Sequence, residues 1–283
     1  MKKAIILVIA VALLVTSCFA LAACNNDEAV VKVIDIKLTE EEYAFAVAKT
    51  NTTLLEQVNS FLAEIKADGT FTAIVEKYFN NGTPTAVVSA TEDANKDQLI
   101  VATNAAFEPF EYLDGNNFYG VDMEIAAALA AKLNKELVIK NIEFDAVVTS
   151  VENGYADIGM AGLTITEERE KVVTFTDSYY DASQMLIVKA SDTTFDNCKN
   201  TADVEAILNA KTSDTKVAVQ KGTTGQFYVE GDEDWGFDGY PVTCVPYSNG
   251  ALAVQAMING NVDFVIIDEA PAFAISTAMN KIN

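Results

Sequence analysis

The chain has 283 residues, of which 50% are hydrophobic and 21% are charged. This composition is typical of a globular protein, and the length is sufficient for two α/β lobes of ordinary size. The formal net charge is -22, so binding to nucleic-acid phosphates or anionic lipid headgroups is disfavoured. The sequence has no histidine, which removes the commonest general base and the commonest zinc ligand.

Residues 1–24 are predicted to be a signal peptide outside the fold. Two lysines precede an apolar run from Ala4 to Val15, which is too short to span a bilayer comfortably. The run Leu21-Ala22-Ala23-Cys24 resembles a bacterial lipoprotein signal, in which the cysteine is lipidated and becomes the mature N-terminus. We prefer Cys24 to Cys18 because a polar sequence begins directly after it. A plain secretory signal is the alternative.

Two further cysteines, Cys198 and Cys244, follow in the mature chain. An exported protein can join such a pair in a disulfide, but two free buried thiols are equally compatible with the sequence. The sequence does not decide between them because it does not give the distance between the two Cα atoms.

Short apolar runs alternate with amphipathic helices along the mature chain, which favours α/β lobes. In the first part, strands are predicted at Val31 to Ile36 and Tyr43 to Ala48. A helix opens at Asn51 with an apolar stripe at helical spacing, and a shorter helix ends at Phe79. The stretch from Asn80 to Asp97 is rich in Asn, Gly, Pro, Thr, Ser and Asp, which is the composition of a linker.

The same alternation continues after the linker. Apolar runs predict strands at Leu99 to Thr103, Leu137 to Ile142, Ala156 to Met160, Met185 to Lys189, Lys216 to Val219 and Phe264 to Ile267. Helices are predicted after Gly120, from Asp145 to Glu152, after the turn Gly222 to Gly225, from a Ser248 cap to Asn259-Gly260, and after Pro271.

Several motifs after the linker occur in the order found in one known family. They are Thr103 to Tyr112, Tyr119 to Asp122, Phe144-Asp145, Ala161 to Arg169, Phe175 to Tyr180, Val219 to Gly225 and Ile267-Asp268. Together they resemble the polar amino-acid binding proteins of ABC uptake systems, the family-3 extracellular solute-binding proteins. The resemblance implies a two-lobed α/β fold of the type II periplasmic-binding-protein class, with two hinge strands and the ligand between the lobes.

The order of the segments departs from the family in one respect. Segments resembling Glu41 to Lys49 and Ala67 to Phe79 lie at the C-terminus in the family, whereas here they come first. The simplest interpretation is a circular permutation in which the linker joins the old ends, because surface termini tolerate such a change. An unrelated N-terminal domain is the alternative. The predicted division is lobe one at 43–186 including linker 80–97, lobe two at 31–38 plus 188–283, and hinge crossings near Tyr43 to Ala48 and Met185 to Ala190.

A zwitterionic amino acid can be buried only with a cation for its carboxylate and an anion for its ammonium group. Arg169 suits the first task, because a guanidinium group can hold a carboxylate with two parallel hydrogen bonds. Asp268 suits the second task. The structural alternatives are a solvated helix charge for Arg169 and a helix cap for Asp268.

The resemblance implies roles for the other ligand-contacting residues. The backbone N–H groups of Thr164 and Thr224 would assist the carboxylate, while the Thr164 hydroxyl and the Ala161-Gly162 backbone would lie beside the ammonium group. The further positions are the aromatic pair Phe107 and Phe144 around the ligand side chain, the side-chain preference residues Asn104, Asp122 and Gln220, and Thr223 beside Thr224. Core packing and turn formation are the alternatives for these residues.

The expected function is therefore that of an extracytoplasmic, lipid-anchored protein that hands an amino acid to the permease subunits of an ABC transporter. No catalytic residue, metal or cofactor is expected. Asn104 stands where the family's binders of basic ligands usually carry an acid, which favours uncharged polar or aromatic amino acids over arginine and lysine, although Asp122 could compensate in part. A dehydratase of the cyclohexadienyl or arogenate type and a ligand-sensing surface lipoprotein are the alternatives.

Overall fold

The computed structural model describes residues 29–80, 82–233 and 237–282. The predicted signal peptide lies outside these ranges, together with both candidate lipidation sites, Cys18 and Cys24. Within the described ranges, no helix combines the length and the apolar character needed to cross a membrane.

The described strands form two five-stranded sheets, a three-stranded sheet and a two-stranded ribbon. In chain order they are β1 (Val31–Ile34), β2 (Glu41–Tyr43), β3 (Ala46–Ala48), β4 (Gln98–Thr103), β5 (Ala106–Phe107), β6 (Glu111–Asp114), β7 (Asn117–Tyr119), β8 (Glu136–Asn141), β9 (Ile158–Gly159), β10 (Val173–Phe175), β11 (Tyr180–Ala182), β12 (Gln184–Lys189), β13 (Lys216–Gln220), β14 (Thr243–Tyr247) and β15 (Phe264–Asp268).

Helices cover the sheets and connect their strands. They are α1 (Thr52–Ala67), α2 (Thr70–Phe79), α3 (Val121–Lys132), α4 (Val147–Glu152), α5 (Glu167–Glu170), α6 (Thr201–Asn209), α7 (Thr224–Glu230), α8 (Gly250–Ile258) and α9 (Glu269–Ile282), with a 3-10 turn at Phe144–Ala146.

One large sheet has the strand order β1-β12-β15-β13-β14 and belongs to lobe two. β12 runs antiparallel to β1 and β15, whereas β13 runs parallel to β14 and β15. Every residue of β15 is buried, as expected for a central strand covered on both faces. Asp268 is the last residue of β15 and therefore lies at the carboxyl end of the strand.

The other large sheet has the order β10-β3-β9-β4-β8 and belongs to lobe one. β4 is parallel to β8 and β9, and β3 is antiparallel to β9 and β10. Helix α1 contacts β3 through a buried face that includes the predicted stripe. The helix begins where Asn51 Oδ1 accepts the Leu54 N–H at 3.2 Å, which satisfies one of the free donors of its first turn.

The residues before the linker contribute to both lobes. β1 is an edge strand of the Asp268 sheet, whereas β3 lies inside the lobe-one sheet. The linker runs along lobe one. Val87 and Phe118 exchange backbone hydrogen bonds of 2.8 and 2.9 Å, and the Ala90 N–H donates to the Leu137 carbonyl oxygen at 2.8 Å.

The two chain passages between the lobes pair as the antiparallel ribbon β2-β11. The predicted single strand from Tyr43 to Ala48 is wrong, because the chain changes partners between β2 and β3. The Ala44 N–H donates to the Leu163 carbonyl at 3.0 Å, and the Phe45 N–H donates to Thr176 Oγ1 at 3.0 Å. β3 and β12, which contain most of the expected crossing segments, lie within the two large sheets.

Two helix starts also differ from the prediction. Asn249 and not Ser248 caps α8, because its Oδ1 atom accepts the Leu252 N–H at 2.9 Å. Helix α9 begins at Glu269 and not after Pro271. Proline is tolerated there because the N–H groups of a first turn have no partner within the helix.

Cys198 and Cys244 are both free thiols. They pack against the same apolar cluster of lobe two. Burial raises the pKa of the Cys244 thiol to about 12, so this group stays protonated. The structure therefore resolves the open question about this pair in favour of two thiols.

Candidate functional site

Polar side chains from both lobes meet in the cleft between the two large sheets. Asn104 follows β4, Gln220 ends β13 and Asp268 ends β15. In open α/β sheets, ligands bind outside the carboxyl ends of the strands. Gln220 Nε2 donates to Asn104 Oδ1 at 3.1 Å, so the lobes are in direct contact at this point.

The acidic side of the cleft is built on Asp268. Its Oδ2 atom accepts the hydroxyl of Tyr43, and both side chains are buried. Burial raises the pKa of Asp268 above its ordinary range and the carboxylate of Glu41 raises it further, whereas the Tyr43 hydrogen bond lowers it. A positive group beside Asp268 would therefore favour the ionised form of this carboxyl.

Glu41 is a second buried acid in the cleft, and four donors reach its carboxylate. Oε2 accepts the hydroxyl groups of Thr164 and Thr224, each at 2.7 Å. Oε1 accepts the Thr39 hydroxyl at 2.7 Å and Gln184 Nε2 at 3.1 Å. Because Thr164 belongs to lobe one and Thr224 to lobe two, Glu41 bridges the lobes.

Arg169 supplies a positive charge to the cleft. Its Nη1 atom donates to the Thr164 carbonyl at 2.6 Å, and Nη2 donates across the cleft to the Gly222 carbonyl at 3.1 Å. The guanidinium carbon lies 5.5 Å from the ring centroid of Phe144, within the range of a cation–π contact. Burial lowers the pKa of Arg169, and the two buried acids of the cleft oppose this effect, so the group remains charged.

Asp122 supports the Gly162 loop from behind. Its Oδ2 atom accepts the Gly162 N–H at 3.0 Å, and Oδ1 accepts the Tyr179 hydroxyl at 2.7 Å. Gly162 has a φ of 53°, in the left-handed region, and a Cβ atom there would lie 3.0 Å from the ring of Phe107. Glycine is thus required at this turn, and the Asp122 carboxylate is occupied by protein donors.

Glu111 and Asp122 form a buried carboxyl pair. Among the described residues no N–H or hydroxyl donor reaches either oxygen of Glu111, and its carboxyl group hydrogen bonds to that of Asp122. Burial, followed by the charge of Asp122, raises the pKa of Glu111 well above its ordinary range. Burial also raises the pKa of Asp122 to about 7. Glu111 therefore holds the proton of the pair.

The structure places the two predicted aromatic residues in separate clusters. Phe107 packs against Phe110, with ring centroids 6.2 Å apart, whereas Phe144 faces Arg169. The two rings belong to different apolar clusters. They flank the cleft from different sides of lobe one and do not contact each other as a pair.

The side-chain preference residues Asn104 and Gln220 leave one acceptor free. Asn104 Nδ2 donates to the Ile142 carbonyl at 2.7 Å, while Gln220 Oε1 is buried and has no hydrogen-bond partner in the described part of the chain. Thr223 serves the same loop, since its hydroxyl donates to the Gln220 carbonyl at 2.8 Å. Ala161 is fully buried next to Gly162.

Glu41, Tyr43 and Gln184 are cleft residues that sequence reasoning missed. Glu41 stands in a run of three glutamates, which is typical of an exposed turn. A signal was available in the period of a strand, because Glu41 and Tyr43 lie two residues apart and share one face. The burial of β2 follows this alternation, with Glu42 exposed between them. The described residues contain no group of three or more metal-ligating side chains arranged to hold an ion.

Comparison with known proteins identifies the family. The sequence model of the bacterial extracellular solute-binding proteins, family 3, matches residues 5–81 and 99–259. The chain belongs to this family. The predicted fold class is confirmed, since the related structures described below are two-lobed amino-acid-binding proteins of the type II periplasmic-binding-protein fold.

Curated relatives of this family 3 protein include arginine-binding proteins. The arginine-binding extracellular protein ArtP of Bacillus subtilis (strain 168) is 38% identical over 97 residues, which are 34% of this chain and 38% of the relative. The ABC transporter arginine-binding protein 1 of Escherichia coli (strain K12) is 30% identical over 176 residues, 62% of this chain and 64% of the relative. The chain thus spans between 38% and 64% of the length of these relatives.

Solved structures agree with this assignment. An ancestral arginine-binding protein bound to arginine matches with a TM-score of 0.54 and 33% identity, over 65% of this chain and 75% of that one. An ancestral amino-acid-binding protein, described as a precursor of cyclohexadienyl dehydratase, matches with a TM-score of 0.53 and 31% identity, over 66% and 74% of the two chains.

Proposed function

We propose that this family 3 protein captures a free amino acid in the cleft and delivers it to an ABC importer. The observation that carries the proposal is the pairing of opposite charges in one buried cleft. Arg169 reaches across to lobe two, and Asp268 of lobe two binds Tyr43 of the hinge ribbon. A zwitterion supplies the counter-charge to each side, which no neutral ligand does.

In this proposal each predicted site residue keeps a definite task. Arg169 holds the carboxylate, and Asp268 holds the ammonium group with the help of the Thr164 hydroxyl. Asp122 acts through the Gly162 loop, because both of its oxygens are occupied by protein donors. The remaining residues of the proposed site are the backbone of Ala161 and Gly162, the turn Thr223-Thr224, the side walls Phe107 and Phe144, and the polar pair Asn104 and Gln220.

The ligand side chain is proposed to carry N–H donors. The buried Gln220 Oε1 atom lacks a donor, and a ligand amide, imidazole or guanidinium group would satisfy it. The similar proteins named for arginine support the guanidinium option. Asn104 in place of an acid supports an uncharged side chain.

A thermal-shift panel of the standard L-amino acids tests the function, because a ligand that binds only the folded state raises the midpoint of unfolding. Isothermal titration of the ligand that ranks first then gives its affinity. We expect a micromolar dissociation constant, equivalent to about 8 kcal/mol. A panel without any shift, together with heat-free titrations, would remove the proposal.

We further propose that the family fold is circularly permuted here and that its lobes comprise 43–186 and 31–38 plus 188–283. Three observations support this: the family matches in two segments separated by residues 82–98, β1 pairs with β12, and β3 pairs with β9 and β10. The residues before the linker would then be the family's C-terminal part, shared between the lobes.

A lipid anchor at Cys24 would hold the protein at the extracytoplasmic face of the cell membrane. Its support is the sequence pattern that precedes the cysteine. Mass spectrometry of the mature N-terminal peptide tests it. We expect acylated cysteine in the native chain and in Cys18→Ser, but not in Cys24→Ser.

An enzyme is the second candidate, because one similar structure is a precursor of cyclohexadienyl dehydratase. Incubation with prephenate or arogenate, followed by chromatography of the products, separates the two functions. The binding proposal expects no product above the uncatalysed background. A third candidate is a ligand-sensing surface lipoprotein, which would bind an amino acid without engaging a permease.

A further inference from the structure

The hydrogen bonds of Glu41 all run in one direction. The Thr164 and Thr224 hydroxyls donate to its Oε2 atom, and Thr39 and Gln184 donate to Oε1. An ionised carboxylate only accepts hydrogen bonds, so it offers no proton in return. The proton of each threonine hydroxyl is therefore committed to Glu41.

This commitment fixes what the two threonine oxygens can do next. A hydroxyl group has one proton and two lone pairs. With the proton directed at Glu41, each oxygen can only accept from a further partner. The two oxygens lie 3.5 Å apart, so one donor group can approach both of them.

An ammonium group is the donor that fits this arrangement. It has three N–H donors and no acceptor, and the adjacent Asp268 provides a carboxylate whose charge interacts with that of Glu41. A ligand hydroxyl or carbonyl would gain less, because it lacks the charge and part of the donor capacity.

We propose that Glu41 is a positioning residue of the ammonium subsite, which orients the hydroxyls of Thr164 and Thr224 as paired acceptors for the ligand's ammonium group. The inference rests on the proposed amino-acid function. Since one hydroxyl comes from each lobe, the pair is complete only when the lobes are closed.

The test compares two ligands in Glu41→Gln. A glutamine side chain presents N–H donors to the same place, so at least one threonine hydroxyl must turn its proton towards the ligand. The ligands are the amino acid that ranks first in the thermal-shift panel and the α-hydroxy acid with the same side chain. Glu40→Gln is the matched control, because it removes the same charge from the exposed neighbouring residue.

Isothermal titration should show that Glu41→Gln weakens binding of the amino acid by at least about tenfold. Binding of the hydroxy acid should change by no more than about threefold, and Glu40→Gln should match the native chain for both ligands. Equal losses for the two ligands would indicate a merely structural role and overturn the proposal, as would an unchanged affinity for the amino acid.

A double-mutant cycle checks that Glu41 acts through the hydroxyls. In a Thr164→Val/Thr224→Val background, Glu41→Gln should cause no additional loss of amino-acid affinity, because the groups it positions are absent. Additive losses would contradict the proposal. If Glu41→Gln does not fold by circular dichroism, Glu41→Asp replaces it: its carboxylate is one methylene shorter, so the same selective loss is expected, and equal losses would again overturn the proposal. A native chain that binds no amino acid would instead refute the proposed function itself.

Discussion

Tyr43 donates its hydroxyl to Asp268 at the point where the hinge ribbon meets the carboxyl end of β15. The two residues are 225 positions apart in the chain. This contact ties the movable ribbon to the proposed ammonium subsite. It also reduces the cost of burying the Asp268 charge.

Loss of the Asp268 charge should abolish ligand capture without unfolding the protein. Asp268→Asn keeps an oxygen for the Tyr43 hydroxyl but no longer balances a buried ammonium group. We expect at least about a hundredfold weaker binding, because leaving one buried charge without its partner costs about 2–5 kcal/mol. Isothermal titration measures the loss, with the exposed Glu170→Gln as control. Affinity close to that of the native chain would contradict the zwitterion clamp.

Removal of the Tyr43 hydroxyl should shift the pH dependence of binding. Burial raises the pKa of Asp268 and the Tyr43 hydrogen bond lowers it, so Tyr43→Phe should raise this pKa further. Because the ligand ammonium group requires the ionised carboxylate, affinity falls as the pH drops through the pKa of Asp268. In Tyr43→Phe that fall should begin at a higher pH. Titrations at several pH values from acid to alkaline would show the displacement, and coincident profiles would refute it.

The buried Glu111 should make the protein more stable when it is replaced by its neutral amide. Its pKa is raised well above the model value of 4.5, so the folded state binds this proton more tightly than the unfolded state. Stability from this group is therefore greatest at low pH and declines as the pH rises above about 4.5. Glu111→Gln removes the decline and donates a permanent hydrogen bond to Asp122.

Urea unfolding of Glu111→Gln should accordingly show a gain of about 2 kcal/mol near about pH 8 and little change near about pH 5. The exposed Glu152→Gln is the control and should change neither value. A loss of stability at both pH values would show that the Glu111 carboxyl group has a structural task that the amide does not perform.

An acid at position 104 should change the ligand ranking. Asn104 lies at the lobe contact and shares a hydrogen bond with Gln220. Asn104→Asp would add a negative charge beside the ligand side chain and should raise affinity for arginine and lysine relative to glutamine by about tenfold. The ratio of affinities within one variant is the readout, so any general loss of stability cancels. An unchanged ratio would place the ligand side chain elsewhere.

The sequence predicts those parts of the fold that depend on local pattern. The buried strands β4, β13 and β15 follow from apolar runs, and α1 follows from its Asn51 cap and its stripe. β14, with Pro246 in its middle, was missed because proline is rare within strands and tolerated mainly at a sheet edge. The break between β2 and β3 depends on distant partners, Leu163 and Thr176.

The site shows the same division. Arg169 and Asp268 could be predicted because a zwitterion requires both charges and the family motifs carry them. The part of Glu41 could not, since its burial depends on Thr164, Thr224 and Gln184 approaching from three other segments. Asp122 faces the Gly162 loop, and no local pattern indicates on which side of a loop a carboxylate will lie.

Restoring the family's segment order should leave the structure intact. Near the end of α9, Asn280 Oδ1 accepts the N–H groups of Val30 and Val31 at 2.8 and 3.1 Å, and Asn280 Nδ2 donates to the Val31 carbonyl at 3.0 Å. The end of α9 therefore lies beside the start of β1. A short glycine-serine connection from residue 282 to residue 29 can join them without displacing either element.

The rearranged chain runs from residue 82 to 282 and continues through residues 29–80. It keeps every described strand and only relocates one connection, so we expect a thermal midpoint within about 4 °C of the native order and an amino-acid affinity within about threefold. The matched control lacks residues 29–80 and should not fold, because it loses β3 from between β9 and β10. A rearranged chain that fails to fold, or a deletion that retains ligand binding, would contradict the permutation and favour a dispensable N-terminal segment.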